Sequence, residues 1–219
     1  MSLLNLLFPE KCLLCRKVLA RNELDLCLAC RADSPEYPDK RGKLPFLDSY
    51  TAIWYYEGPV RASLLRYKFR GCRSYAEGYG RLLAMKLLGC DRADFDVITW
   101  VPISPLRKFR RGYDQSQLLA QAVSRQIQIP AVPLLRKVRH NRPQSGISGD
   151  AHRRANVLGV YALNRKFQPA GKRILLLDDI VTTGATAGEC ARVLLTAGAK
   201  EVHLAAVAKA RDQGKNNAK

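Results

Sequence analysis

Acidic residues are scarce in this chain of 219 residues: 19 Asp and Glu stand against 37 Lys and Arg, a formal net charge of +18. The basic residues run along the whole chain rather than in one tail. Such a surface favours anionic partners, namely phosphates, pyrophosphate or nucleic acid, although charge of this kind also serves plain solubility. Long apolar runs are missing, and none approaches the ~18 residues of a membrane span. Residues 3–8 form a short apolar stretch with no basic residue before it and no small-residue cleavage site after it, which makes a poor signal peptide. It reads as a short helix or strand packed on the segment behind it, and without a targeting segment the chain is expected in the cytoplasm. Neither a Walker A loop nor a dinucleotide fingerprint is present, so those two common nucleotide sites are excluded. There are only three histidines, His140, His152 and His203, with no partner pattern for metal or triad chemistry. They are read as structural or solvated. No covalent nucleophile and no internal repeat is evident.

What is present centres on residues 174–186. Ile174, Leu175, Leu176 and Leu177 suit a parallel strand covered on both faces. Asp178 and Asp179 follow, where that strand should emerge at its carboxyl end, the side on which open α/β sheets collect ligands. Ile180 and Val181 come next, and then Thr182, Thr183, Gly184, Ala185 and Thr186. Residues 187–197 place Cys190, Val193, Leu194 and Ala197 on one side of a helix. A loop of free backbone N–H groups at a helix start is a phosphate cradle, to which Gly184 lends close backbone approach and the threonines add donors. The acids cannot bind the phosphate themselves. They can accept hydrogen bonds from sugar hydroxyls one group away, or enter a Mg²⁺ shell. Cradle and acid pair together read as a site for a phosphorylated sugar, the alternative being a buried strand that ends in a solvated turn.

At every position this run resembles the motif by which type I phosphoribosyltransferases bind phosphoribosyl pyrophosphate (PRPP). The resemblance implies that Thr182 to Thr186 hold the 5-phosphate and that Asp178 and Asp179 take the ribose 2- and 3-hydroxyls. Purine-salvage relatives usually start the loop with Asp as a base toward the purine. Thr182 stands there instead, which counts against purine salvage.

Seven cysteines in a cytoplasmic chain suggest metal or buried thiols before disulfides. Cys12-x-x-Cys15 and Cys27-x-x-Cys30 fit a four-thiolate zinc site, each pair forming one knuckle, with a disulfide pair as the competing reading. Four sulfur ligands leave no open position for water, so the zinc is expected to be structural, holding folded a module too small to bury much core. Cys72, Cys90 and Cys190 lack ligand spacing.

Residues 33–45, rich in Pro and charge, read as a linker. The expected division is a zinc module with its linker over 1–45, an α/β domain over 46–211 and a flexible tail over 212–219. Residues 51–57 have strand composition, and Pro59 opens a helix marked by Val60, Leu64, Leu65 and Phe69. A second helix over 75–88 follows. Between them Arg66, Lys68, Arg70 and Arg73, with Tyr67 and Phe69, are read as a solvated basic face. Residues 96–102 read as the first core parallel strand, running into a basic loop whose Arg107, Lys108, Arg110 and Arg111 are placed to bind a second phosphate group. A helix over 115–128 carries Leu118, Leu119, Ala122, Val123 and Ile127. Residues 134–157 read as a mobile basic loop, with a short helical turn near 150–155, of the kind that closes over an active site. Strands are expected near 159–163 and over 201–208.

Taken whole, the chain is similar to the ComF family, which joins an N-terminal Cys₄ knuckle to a phosphoribosyltransferase domain. The shared features are Cys12, Cys15, Cys27 and Cys30; Val101-Pro102 with Arg110, Arg111 and Gly112; Gln115-Ser116; Gln144; Arg154 with Asn156; and residues 174–186. Tyr113-Asp114 stands where the family usually shows Phe-Asn. The resemblance implies a type I phosphoribosyltransferase-like parallel sheet flanked by helices, with a small N-terminal zinc module. It also implies a Mg²⁺-dependent transfer of ribosyl 5-phosphate, with pyrophosphate released, to an unassigned acceptor. Arg107, Lys108, Arg110 and Arg111 would hold the pyrophosphate, and Asp178 and Asp179 would serve as the catalytic acids. The alternative is a non-catalytic module that binds single-stranded DNA or a helicase-like partner protein in natural competence and DNA uptake.

Overall fold

The computed structural model describes residues 9–38, 44–89, 94–139 and 157–211. Outside them lie the apolar start at 3–8, Cys90, most of the expected mobile loop with His140, Gln144, His152, Arg154 and Asn156, and the tail from 212. In chain order the described elements are α1 (Leu28–Asp33), β1 (Ser49–Tyr55), α2 (Gly58–Phe69), α3 (Tyr75–Leu88), β2 (Val97–Trp100), α4 (Pro105–Arg111), α5 (Gln115–Ile127), β3 (Leu135–Lys137), β4 (Tyr161–Leu163), β5 (Arg173–Val181), α6 (Ala185–Thr196) and β6 (Glu201–Lys209).

A parallel sheet of order β1-β6-β5-β2 forms the centre. Its inner strand β5 shows why the sequence runs apolar on both faces. Leu175 and Leu177 pack with residues of α2, α3 and α5, whereas Ile174 and Leu176 pack with α6 and the β3–β4 hairpin. All four side chains are buried completely. This is the type I phosphoribosyltransferase-like architecture, with helices on both faces.

Several elements differ from expectation. β1 joins the sheet beside β6, so the strand at 97–100 is an edge strand and not the first of the core. The stretch after it is helical: Ser104 caps α4 by accepting from the Arg107 N–H, Pro105 occupies the first turn, and Gly112 ends the helix at φ 75°. The expected mobile loop begins with an ordered strand, since Leu135 and Lys137 pair antiparallel with Leu163 and Tyr161. Leu134 and Leu135 are buried, and apolar content overrides the basic residues around them. The expected linker is tied down at both ends. Tyr37 N–H donates to Ile53 O and Tyr55 N–H to Pro35 O, while Leu44 lies against Gly184.

The N-terminal cysteines converge. The four Sγ atoms of Cys12, Cys15, Cys27 and Cys30 all lie within 4.8 Å of one another, and those of Cys15 and Cys27 are 3.6 Å apart. Zn–S bonds of about 2.3 Å in a tetrahedron set sulfurs about 3.8 Å apart, so the quartet fits zinc. Burial pushes the Cys12 thiol up, but the N–H groups of Cys15, Cys27 and Leu14 outweigh it and bring it down to about 7. That favours the thiolate a metal needs. Burial and the neighbouring sulfurs drive Cys30 the other way, so a cation among the four relieves their mutual repulsion.

This module is clamped to the helices. Arg81 on α3 makes a two-pronged ion pair with Asp25, at 2.9 Å and 2.5 Å, and Arg66 on α2 donates to Leu13 O and Leu14 O. Gly78 makes the approach possible: a Cβ there would stand 2.6 Å from Asp25 Oδ1 and 2.7 Å from Leu13. Gly80, one turn-face away, admits Ala122 of α5 in the same manner. Purified protein should therefore carry about one zinc per chain. Chelation should lower the melting temperature of the whole chain, because the module shares a core with α2 and α3. A metal-free protein with an unchanged melting temperature would contradict this.

Candidate functional site

β2 stops level with Leu177, whereas β6 continues beside β5 as far as the pair Val181 and Lys209. Asp178 and Asp179 thus do not emerge from the sheet. They lie within β5 near its carboxyl end, with the strand paired on one side and open on the other. There a cleft of about 860 Å³ opens, lined by both acids, Thr182 and Thr186, and by cations from three separate elements. Arg61 and Lys68 come from α2, Arg107, Arg110 and Arg111 from α4, and Lys137 from β3.

Successive strand residues point to opposite faces, and the acids obey that rule. Asp179 is buried and turns toward α2, where Lys68 Nζ lies 3.0 Å from its Oδ1. Its Oδ2 is buried with no hydrogen-bond partner among the described residues. Asp178 Oδ1 accepts from Ser116 Oγ of α5 at 3.1 Å and from the Asp179 N–H at 2.9 Å. Burial, with the charge of Asp179 beside it, pushes the Asp178 carboxyl up to about 8, against the pull of Lys68 and these donors.

The loop after β5 turns at Gly184, at φ 77°, directly into α6. Ala185 N–H donates to Thr183 Oγ1, and the helix start offers N–H groups that lack intrahelical acceptors. Thr182 and Thr186 line the cleft, whereas Thr183, Gly184 and Ala185 form the turn behind it. A Cβ on Gly184 would come 2.7 Å from Leu44 Cδ2, so the glycine admits both the left-handed turn and the packed leucine.

The four cations expected on one loop separate on the helix that replaces it. Arg107, Arg110 and Arg111 reach the cleft, while Lys108 points along the exposed side toward Gln117, 3.3 Å away. Burial, then the charge of Arg107, holds Arg111 below its usual range and brings Lys137 down to about 8. Cations crowded in this way favour an anionic ligand. Tyr113-Asp114, the departure from the family pair, is fully used: Asp114 accepts from the Ser116, Gln117 and Ile103 N–H groups, and Tyr113 OH donates to Tyr67 O.

The sequence places Lys68 on a solvated basic face, and the structure corrects this. Arg66 is engaged with the zinc module, Tyr67 is buried completely, and Lys68 reaches the acid pair. The spacing held the signal. Val60, Leu64 and Lys68 stand at i, i+4 and i+8, so the lysine continues a buried stripe. Lys137 and Tyr161 could not be found so directly, because they meet only through the pairing of β3 with β4, where Lys137 Nζ sits 5.4 Å from the Tyr161 ring centre. His203 lies far from the acids in register, opposite Leu175, and is held between Ser49 and Glu201.

Comparison with known proteins finds two family models and several relatives that match this chain. The phosphoribosyl transferase domain family matches residues 114–219, and the double zinc ribbon domain family matches residues 3–41. The chain is 27% identical over 226 residues to competence protein F of Haemophilus influenzae, covering 93% of this chain and 98% of that one. It is 29% identical over 221 residues to the DNA utilization protein YhgH of Escherichia coli O157:H7, covering 90% and 95%. Over 154 residues it is 32% identical to competence protein ComFC of Streptococcus pneumoniae, covering 70% of this chain and 65% of that one.

The raised Asp178 carboxyl has a consequence for stability. The native state keeps a proton there that the unfolded chain has already lost above pH 4, so the stability it confers falls as pH rises toward 8. Between pH 6 and pH 8, wild-type protein should lose about 2 kcal/mol of unfolding free energy relative to Asp178→Asn, read by denaturant titration at both pH values. Parallel pH profiles for the two proteins would contradict the assignment.

Proposed function

The chain belongs to the ComF family, and on that footing we propose that it binds PRPP in the cleft at the carboxyl end of β5 and transfers its ribosyl 5-phosphate with release of pyrophosphate. The unpartnered Oδ2 of Asp179 carries this reading. A buried carboxylate oxygen without a donor costs roughly 1–3 kcal/mol or more, and a sugar hydroxyl supplies the donor. In the proposed pose the 5-phosphate rests on the turn of Thr182, Thr183, Gly184, Ala185 and Thr186 at the start of α6. Asp178 and Asp179 take the ribose hydroxyls. The pyrophosphate meets Arg107, Arg110 and Arg111, with Lys108 the outermost of the four cations.

Transfer then breaks the bond between C1 and the pyrophosphate oxygen, and the electron pair leaves with the pyrophosphate. The acceptor's lone pair forms the new bond to C1. The cations that line the cleft stabilise the charge that grows on the leaving group, and the acids and the cradle hold the sugar still while C1 becomes oxocarbenium-like. Among the described residues only the cysteine quartet gathers three or more metal-ligating side chains. Mg²⁺ would enter with PRPP beside Asp178 and Asp179, where it would supply charge neutralisation.

A second reading has its own observation. Phe69, which lines the cleft, is 64% exposed, with the Arg111 guanidinium 4.8 Å from its ring centre, and Phe109 of α4 is 86% exposed. Exposed aromatics among arginines suit single-stranded nucleic acid, in keeping with the competence and DNA-utilization names of the relatives. In this reading the chain acts in DNA uptake as a binding module, alone or with a helicase-like protein. Among the described residues no helix is long and apolar enough to cross a membrane, and a cytoplasmic setting accords with both readings.

Calorimetric titration of PRPP with Mg²⁺ into the zinc-loaded protein should give saturable binding at one site per chain. The double substitution Asp178→Asn, Asp179→Asn should abolish it. Unchanged binding in the double variant would remove the site from these residues.

A further inference from the structure

Lys68 is the one cation of the cleft that meets an acid of the pair directly among the described contacts. It sits in a buried stripe of α2, its side chain 18% exposed, against a carboxylate that is itself buried. Nothing about its position is left to chance. On one flank, Ser63 and Arg66 hang α2 from the carbonyls of Leu13 and Leu14 in the zinc module. On the other, Tyr67 OH donates to Gln115 O at 2.7 Å and Tyr113 OH donates to Tyr67 O, tying the same turn to α5. The lysine is thus delivered to Asp179 by a helix fixed from both sides.

The ion pair leaves an asymmetric carboxylate. Oδ1 is taken by Lys68, and Oδ2 faces no donor. With Lys68 absent, both oxygens would lack a partner, and nothing would fix the plane of the carboxylate or select which oxygen meets a ligand. Arg111 adds long-range charge from α4 but makes its hydrogen bond to Gln115 Oε1 instead.

We infer that Lys68 is a positioning residue of the sugar site: by holding Oδ1 of Asp179 it reserves Oδ2 for a ribose hydroxyl, and so sets the preference for ribose over deoxyribose phosphates. This rests on the sugar-phosphate reading of the cleft. Lys68 itself need not touch the sugar. Its effect passes through the orientation of Asp179, and a lysine merely supporting the fold would leave hydroxyl discrimination intact.

The test is a set of affinities for ribose 5-phosphate, 2-deoxyribose 5-phosphate and 3-deoxyribose 5-phosphate, measured on the zinc-loaded full chain. Wild-type protein should bind ribose 5-phosphate about tenfold more tightly than whichever deoxy sugar lacks the hydroxyl that meets Asp179. Lys68→Met should bring that ratio close to one, and Lys68→Arg should restore most of it. Asp179→Asn, nearly isosteric, should bring the ratio down as well and serves should Lys68→Met fail to fold. A wild-type ratio retained in folded Lys68→Met protein would overturn the role of Lys68 while leaving the cleft a sugar-phosphate site. Equal wild-type affinity for all three sugars would overturn it too, since Asp179 would then take no hydroxyl. Failure of wild-type protein to bind any of the three would overturn the sugar-phosphate reading and this inference together.

Discussion

Two carboxylates stand side by side on an inner strand of a sheet that is covered on both faces. Burial disfavours the charge of Asp178, and the charge of Asp179 beside it disfavours it further. The surrounding structure answers this constraint. Lys68 meets Asp179 from α2, Ser116 meets Asp178 from α5, and the early end of β2 leaves one side of the pair open. Had β2 run four residues further, the backbone of the acids would be paired on both sides. The cleft opens where one neighbour of β5 has stopped and the other runs on.

The zinc module takes part in the same arrangement. Thirty residues around four cysteines cannot fold on apolar burial alone, so a metal would hold them. The module's carbonyls in turn hold α2 through Ser63 and Arg66, and its Asp25 holds α3 through Arg81. Because α2 also carries Lys68, a single helix of 12 residues joins the cysteine quartet to the acid pair. Glycine at 78 and 80 looks costly in a helix interior by propensity, yet here it lets the module and α5 come into contact with α3.

Much of this was legible in the sequence because its signals are local. Four aliphatics before two acids, a hydroxyl-rich turn and a helical repeat sit within one short stretch. The two Cys-x-x-Cys pairs announce a quartet by spacing alone. What could not be read so directly depends on which segments meet. Residues 103–113 carry enough charge to look like a loop, but Ser104 and Pro105 start a helix there, and it turns Lys108 outward while its arginines face the cleft. Residues 135–137 look basic and mobile until β4 is placed beside them. Lys68 is the instructive case. Composition assigned it to a solvated face, whereas its place four residues after buried Leu64 put it in the core stripe, where a cation requires a partner.

The central claim is that the turn at the start of α6 and the acid pair form one sugar-phosphate site. A crystal structure of the zinc-loaded chain with PRPP and Mg²⁺ tests it most directly. The account predicts the 5-phosphate on the backbone of residues 182–186, the ribose hydroxyls on Asp178 and Asp179, and the pyrophosphate toward Arg107 and Arg111. Ligand density elsewhere on the basic surface, with Lys68 and Asp179 undisturbed and the turn empty, would contradict it.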